Sequence, residues 1–205
     1  DLETLLFIAN LGAIVLHAWN ARATDPARPD WIILDLDPKE APFEHVITLA
    51  QEAKGLCDEI GLPSFAKTTG SSGLHVLVPT GGALTHDQCK TFAELLARVI
   101  VTRRDTIATI VRIPAQRGGK VYIDFLQNGH GKLLVAPFSV RPRPGAPVSM
   151  PLLWSEVSQG LAPRQFNIRN AIPRLQALDH DPLIGVLTEK PDLLGALGKL
   201  GERLG

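Results

Sequence analysis

The chain has 205 residues, 45% of them hydrophobic, with 21 Lys and Arg balancing 21 Asp and Glu. This length supports one substantial core, and a net charge of zero excludes any reading of partners from whole-chain charge. No apolar run approaches the ~20 residues of a membrane span, no charged-then-apolar signal segment opens the chain, and Cys57 and Cys89 lie far apart, as expected of buried thiols in a reducing cytosol.

At the N-terminus, Asp1 is placed to cap a helix running to Asn10, with Leu2, Leu5, Leu6 and Ala9 as its apolar stripe. Residues 13–19 read as a strand, and the Asp25-Pro26 and Arg28-Pro29 steps as a loop. Trp31 to Asp37 reads as a buried strand stopped by Pro38. Residues 42–60 form a long amphipathic helix, with Phe43, Val46, Ile47, Ala50, Ala53, Leu56 and Cys57 inward and Gly61-Leu62-Pro63 ending it. A short strand at 65–67, a small-residue loop at 68–73, a strand at 74–78 and a second amphipathic helix at 85–101 follow. Residues 120–125 and 132–140 are expected to pair as a hairpin across Asn128-Gly129-His130-Gly131. Four prolines between 142 and 151 predict an extended surface loop, and residues 167–201 two or three short helices packed outside the sheet. This order predicts an α+β fold, a mixed β-sheet core with flanking helices.

Chemistry concentrates at a few places. Asp35 and Asp37, two apart on a strand, project from one face about 7 Å apart. Their mutual repulsion calls for a cation, a divalent metal being the usual answer, though a solvated strand end that starts a turn is the plain alternative. Asp124, an acid among apolar strand residues, needs either a metal or an arginine partner. Three strand-borne carboxylates facing one cleft would suit a two-metal site for phosphoryl transfer. The loop from Lys67 to His75 offers freed amides and four hydroxyls to a phosphate, while such loops also serve merely as turns. His75 and His17 are equally readable as core histidines. Arg141 suits either an ion pair or triphosphate oxygens. Charge is uneven: residues 1–60 hold 11 Asp and Glu against 4 Lys and Arg, whereas residues 103–143 hold 8 Lys and Arg against 2 acids. That basic stretch suits a phosphate-bearing partner or a solvated surface.

Taken together, Leu34-Asp35-Leu36-Asp37-Pro38, Lys67 to Val76, Gly118 to Asn128 and Val135 to Ser149 resemble the polymerase domain of bacterial ligase D, of the archaeo-eukaryotic primase superfamily. The resemblance implies a nucleotidyltransferase that adds nucleotides, with ribonucleotides preferred, to DNA 3′ ends in bacterial non-homologous end joining. It implies that Asp35, Asp37 and Asp124 hold two Mn²⁺ or Mg²⁺ ions and carry catalysis. It further implies that Ser71, His75 and Arg141 contact the nucleoside triphosphate, with Lys67 and Ser72 nearby, His17 at the nucleotide pocket and Gln127 near the sugar. The implied partners are DNA ends, nucleoside triphosphates, a ligase domain in the same polypeptide or in trans, and Ku, in a cytoplasmic, nucleoid-associated setting without a membrane. Ser72 departs from the family, whose members usually carry Arg there. Residues 1–205 are expected to be one catalytic domain of that kind, lacking an N-terminal segment that grips DNA and its 5′-phosphate. Two other readings are a stand-alone primase and a catalytically weak DNA-end docking module. Three clustered carboxylates favour an enzyme over the docking module.

Overall fold

The apolar run ahead of Asp35 becomes the middle of the sheet. In the computed structural model, which describes residues 1–203, the first half of the chain runs α1 (Leu2–Asn10), β1 (His17–Ala18), β2 (Ala21–Arg22), β3 (Asp25–Pro29), β4 (Trp31–Asp37), α2 (Phe43–Ile60), β5 (Phe65–Thr68), β6 (Leu74–Pro79) and α3 (His86–Arg103). The second half runs β7 (Ala108–Thr109), β8 (Val121–Asp124), β9 (Leu134–Val135), β10 (Pro151–Leu152), α4 (Ala171–Gln176), α5 (Gly185–Thr188) and α6 (Leu193–Gly201). Six strands form one sheet in the order β10-β5-β6-β4-β8-β7, antiparallel except for the β7–β8 pair. The sheet is therefore mixed, and the α+β reading holds.

Alternation along β4 sorts the two faces. Ile32, Leu34 and Leu36 are fully buried and pack with Val76, Val78, Ala66 and Ile123 against α2 and α3. Each such side chain contributes roughly 1.5–3 kcal/mol by leaving water. Both helices end as their sequences dictate. Gly61, at φ +81°, closes α2, with the Leu62 amide donating to the Cys57 carbonyl at 2.8 Å. Thr85 and Gln88 form a reciprocal capping box at the start of α3. The opposite face carries Trp31, Ile33, Asp35 and Asp37, covered at its apolar end by Leu183 and Val186.

Several expectations fail. Helix α1 exists, capped by Asp1, but it buries nothing: Leu2, Leu5 and Leu6 are exposed. The strand at 13–19 shrinks to β1, and the Pro-rich loop after it is the two-strand ribbon β2–β3. The hairpin across Asn128 does not form. β8 pairs with β4 and β7, while β9 pairs with β1 in a separate ribbon. The reason is Asn128, fully buried in a single 3-10 turn rather than exposed in a hairpin. The segment 142–151 is only partly a surface loop, because Val148, Ser149 and Met150 are buried and Pro151 enters β10 beside β5. Helix α6 packs on α2 and α3 rather than on the sheet.

Asn128 completes the sheet where β8 stops. β8 covers β4 only from Asp35 to Asp37. At Ile33 the Asn128 Oδ1 accepts from the backbone N–H and its Nδ2 donates to the backbone carbonyl, each at 2.8 Å. One side chain thus imitates a strand residue. Removing it leaves a buried donor and acceptor unpaired, each costing about 1–3 kcal/mol. Asn128→Ala is expected to lower the unfolding free energy by on the order of 2–4 kcal/mol in urea titration; a loss below about 0.5 kcal/mol would show that the side chain contributes nothing net.

Candidate active site

Strand register sets the site. Lys67 of β5 pairs with His75 of β6, His75 with Asp35 of β4, and Asp35 with Asp124 of β8. Directly paired residues share a face, so four polar side chains stand in a row across four strands. His75 Nε2 lies 3.4 Å from Asp35 Oδ1, and Nδ1 is buried with no partner among the described residues. Burial, seconded by the Lys67 charge, holds His75 below its ordinary value. With the ring neutral, Nε2 is the nitrogen that faces the Asp35 carboxylate.

The loop after β5 is organised by a residue that sequence reasoning passed over. Thr69 Oγ1 accepts from the Ser71 amide at 3.1 Å and the Gly73 amide at 3.2 Å, and the Thr69 amide donates to the Gly73 carbonyl at 3.0 Å. A Cβ at Gly73 would overlap the Leu36 carbonyl oxygen, so only glycine lets the loop lie against β4. Gly70, at φ +65°, leaves room for the Arg141 side chain. Arg141 Nη1 donates to the Thr69 carbonyl at 3.3 Å, while its Nε is buried without a partner among the described residues.

The three acids have different partners. Asp124 accepts from the Leu126 amide at 3.0 Å, the Tyr122 hydroxyl at 3.3 Å and Gln127 Nε2 at 2.9 Å. Gln127 therefore orients an acid from the edge of the cleft. Burial and the Asp124 charge push the Tyr122 hydroxyl up to about 12. Asp37 Oδ2 lies 3.3 Å from Arg117 Nη1, and the guanidinium is fixed by the Val111 and Arg112 carbonyls and by the Tyr122 ring at 4.0 Å. Among the described residues no three His, Cys, Asp or Glu are gathered closely enough to hold a metal. The donors still suit hard cations: three carboxylates on one face, each partly exposed, two of them on paired residues. Gathering them requires Asp37 to turn from Arg117.

One open cleft of about 240 Å³ is lined by His17, Asp35, Asp37, Ser71, Ser72, His75, Gln127 and Arg141, together with Thr69. Most of the expected residues therefore meet in one place. Asp124 stands beside the cleft, one strand over. Lys67 does not reach it: the side chain is 2% exposed, its Nζ donates to Ser149 Oγ at 2.6 Å, and it borders a separate apolar cavity of about 180 Å³ beneath the β1–β9 ribbon. Thr69 and Arg117 were missed. A Thr four residues before a Gly is a legible turn signal, whereas the Arg117–Asp37 pairing spans 80 residues and leaves no local trace.

A family model described as the LigD primase-polymerase domain matches residues 1–183. The chain belongs to the LigD primase-polymerase family. It is 36% identical over 180 residues to the multifunctional non-homologous end joining protein LigD of Pseudomonas aeruginosa, covering 87% of this chain and 21% of that protein. It is 32% identical over 178 residues to the bifunctional LigD of Bacillus subtilis, covering 86% of this chain and 29% of that protein. The chain thus spans between a fifth and a third of these relatives. The polymerase domain of Mycobacterium tuberculosis ligase D, solved in complex with DNA, superposes with a TM-score of 0.81 at 27% identity, over 90% of this chain and 67% of that one. The α+β architecture is that of a LigD polymerase domain.

In this LigD-type domain the buried Lys67 links stability to pH. Desolvation pulls its ammonium down to about 7 from an ordinary 10.5. Between those values the unfolded chain binds the extra proton, so stability rises with pH across that window. Denaturation at about pH 7 and about pH 8.5, below the range where the raised Cys57 and Cys89 thiols lower stability, is expected to show the wild type gaining stability and Lys67→Met losing most of that slope. Equal slopes in the two proteins would mean that Lys67 stays charged in the fold.

Proposed function

We propose that this domain is a nucleotidyltransferase that joins nucleoside monophosphates from triphosphates, ribonucleotides preferred, to a DNA 3′-hydroxyl during bacterial end joining. The observation that carries the reading is one cleft that brings Asp35, Asp37 and His75 together with Thr69, Ser71, Ser72 and Arg141, with Asp124 paired to Asp35 at its edge. Similarity to LigD proteins of non-homologous end joining and to a ligase D polymerase domain solved with DNA supports end joining as the setting. By resemblance its partners are DNA ends, a ligase domain in the same polypeptide or in trans, and Ku.

The chain's own residues divide the work. The hydroxyls of Ser71 and Ser72 and the Arg141 guanidinium, which line the cleft, would bind triphosphate oxygens, charge-assisted bonds being the strongest available there. His75 stands against Asp35 with its Nε2 toward the carboxylate. Gln127 and the Leu126 amide aim Asp124, and His17 closes the cleft from the β1–β9 ribbon. Asp35, Asp37 and Asp124 would hold Mn²⁺ or Mg²⁺ once Asp37 leaves Arg117. Bound there, such cations supply Lewis acidity that lowers the pKa of a 3′-hydroxyl and neutralises charge at phosphorus.

Extension of a labelled DNA primer with Mn²⁺ and ribonucleotides tests the reading. Asp35→Ala and Asp124→Ala are expected to abolish extension while leaving DNA binding intact. Arg141→Ala removes a charge-assisted contact of about 1.5–3 kcal/mol, so nucleotide affinity should fall at least tenfold in calorimetry. Extension that survives loss of Asp35 would overturn the assignment. DNA binding without extension under any nucleotide or metal would leave a docking module, and synthesis without a 3′-hydroxyl a primase.

A further inference from the structure

The arginines of this protein fall into two groups. The chain holds 13, and eight of them have a carboxylate within ion-pair distance. Five have none among the described residues: Arg112, Arg141, Arg143, Arg164 and Arg169. Four of these five stand together on the loop side of the cleft. Arg164 Nε donates to the Ser71 carbonyl at 3.3 Å, which ties its segment to the phosphate loop. Arg143 and Arg169 face one concavity of about 530 Å³, shared with Gly145, Ala146, Asn167 and Ile168 and containing no acid. Its walls are fixed by backbone bonds from the Ile168 amide to the Ala146 carbonyl at 3.2 Å and from the Val148 amide to the Phe166 carbonyl at 2.9 Å. The Arg143 charge, after burial, helps hold the Arg141 guanidinium below its usual range, with Asp35 offsetting it in part. Eight of the other nine arginines have a carboxylate partner, whereas these four have none among the described residues.

We propose that Arg143, Arg164 and Arg169 form a track for the phosphodiester backbone of the nucleic-acid strand that pairs with the incoming nucleotide and continues past it. The inference rests on the polymerase reading. In-line displacement puts the attacking oxygen and the leaving pyrophosphate on opposite sides of phosphorus. With the triphosphate tail on the loop and Arg141, the end being extended approaches from the far side of Asp35. The arginine flank is left for the other strand. Guanidinium forks match its phosphates bidentately and need no particular sequence.

The test uses the triple variant Arg143→Ala, Arg164→Ala, Arg169→Ala with primer–template DNA carrying a 5′ overhang of about one or about eight nucleotides. Anisotropy titrations at about 50 and 200 mM salt give affinity and salt slope. Wild type is expected to prefer the long overhang. The variant should lose at least tenfold in affinity for it, with a salt slope lower by about 2–3. Nucleotide affinity and melting temperature should hold, and the matching triple Lys variant should regain most of the binding. An absent overhang preference in wild type, or unchanged affinity and slope in the variant, overturns the track. Nucleotide affinity falling in step with DNA affinity also overturns it, and hands these arginines to the triphosphate. If wild type binds overhangs through the track yet never extends, the polymerase reading fails and the track stands.

Discussion

The pairing of β4 with β6 and β8 at Asp35 is the constraint on which the site depends. One strand supplies both halves of the molecule: Leu34 and Leu36 lock it onto the helices, and Asp35 and Asp37 leave from its other face. Because a strand alternates strictly, the core fixes the carboxylates without any contact of their own. A register slip of one residue would bury both acids against α2 and α3 and expose the core. Hydrophobic burial therefore sets the direction in which the acids point, and that is a strong guarantee for a group whose own bonds are weak.

The same strand positions the phosphate loop. Gly73 lies directly over the Leu36 carbonyl, and Thr69 draws the Ser71 and Gly73 amides inward. Loop and acids are thus separated by backbone alone, so their spacing does not depend on flexible side chains. Arg141 reaches the cleft from a third element, held at Thr69. Three chain segments far apart in sequence converge because β5, β6 and β4 are consecutive neighbours in the sheet.

Much of this was legible before the structure. Trp31–Asp37, the two long helices and the short strands around the loop carry clear periodicity and stop signals, and they form as read. What misled was local turn chemistry overruled by tertiary pairing. Asn128-Gly129 has the composition of a hairpin turn, yet the Ile33 backbone had no strand partner on that side, and the Asn128 amide satisfied it. Helix α1 has an apolar repeat and a cap, which specify a helix but not what it packs against. The grouping of the cleft residues was legible through family resemblance. Lys67's place outside the cleft was not, because alternation gives a side chain's face and not how far it extends.

The site also shows where stability is given up. Of the buried side-chain atoms without a partner among the described residues, His75 Nδ1 and Arg141 Nε lie at the cleft. Beside them Lys67 is buried with a single hydroxyl partner at Nζ, and Asp37 is held by Arg117 rather than by its fellow acids. Each feature is costly in a folded protein with no ligand, since unpaired buried polar atoms and unneutralised charges both oppose folding. The cleft is one of several places where such cost falls, while the helix-covered face of the sheet is mainly apolar. On the proposed reading, a ligand that brings both negative phosphates and positive ions would offset part of this cost. Phosphates would satisfy Arg141, and cations would relieve the repulsion between Asp35 and Asp37 once Arg117 is displaced. The proposed nucleotidyltransferase reading thus accounts for the polar atoms that the fold leaves without partners at the cleft.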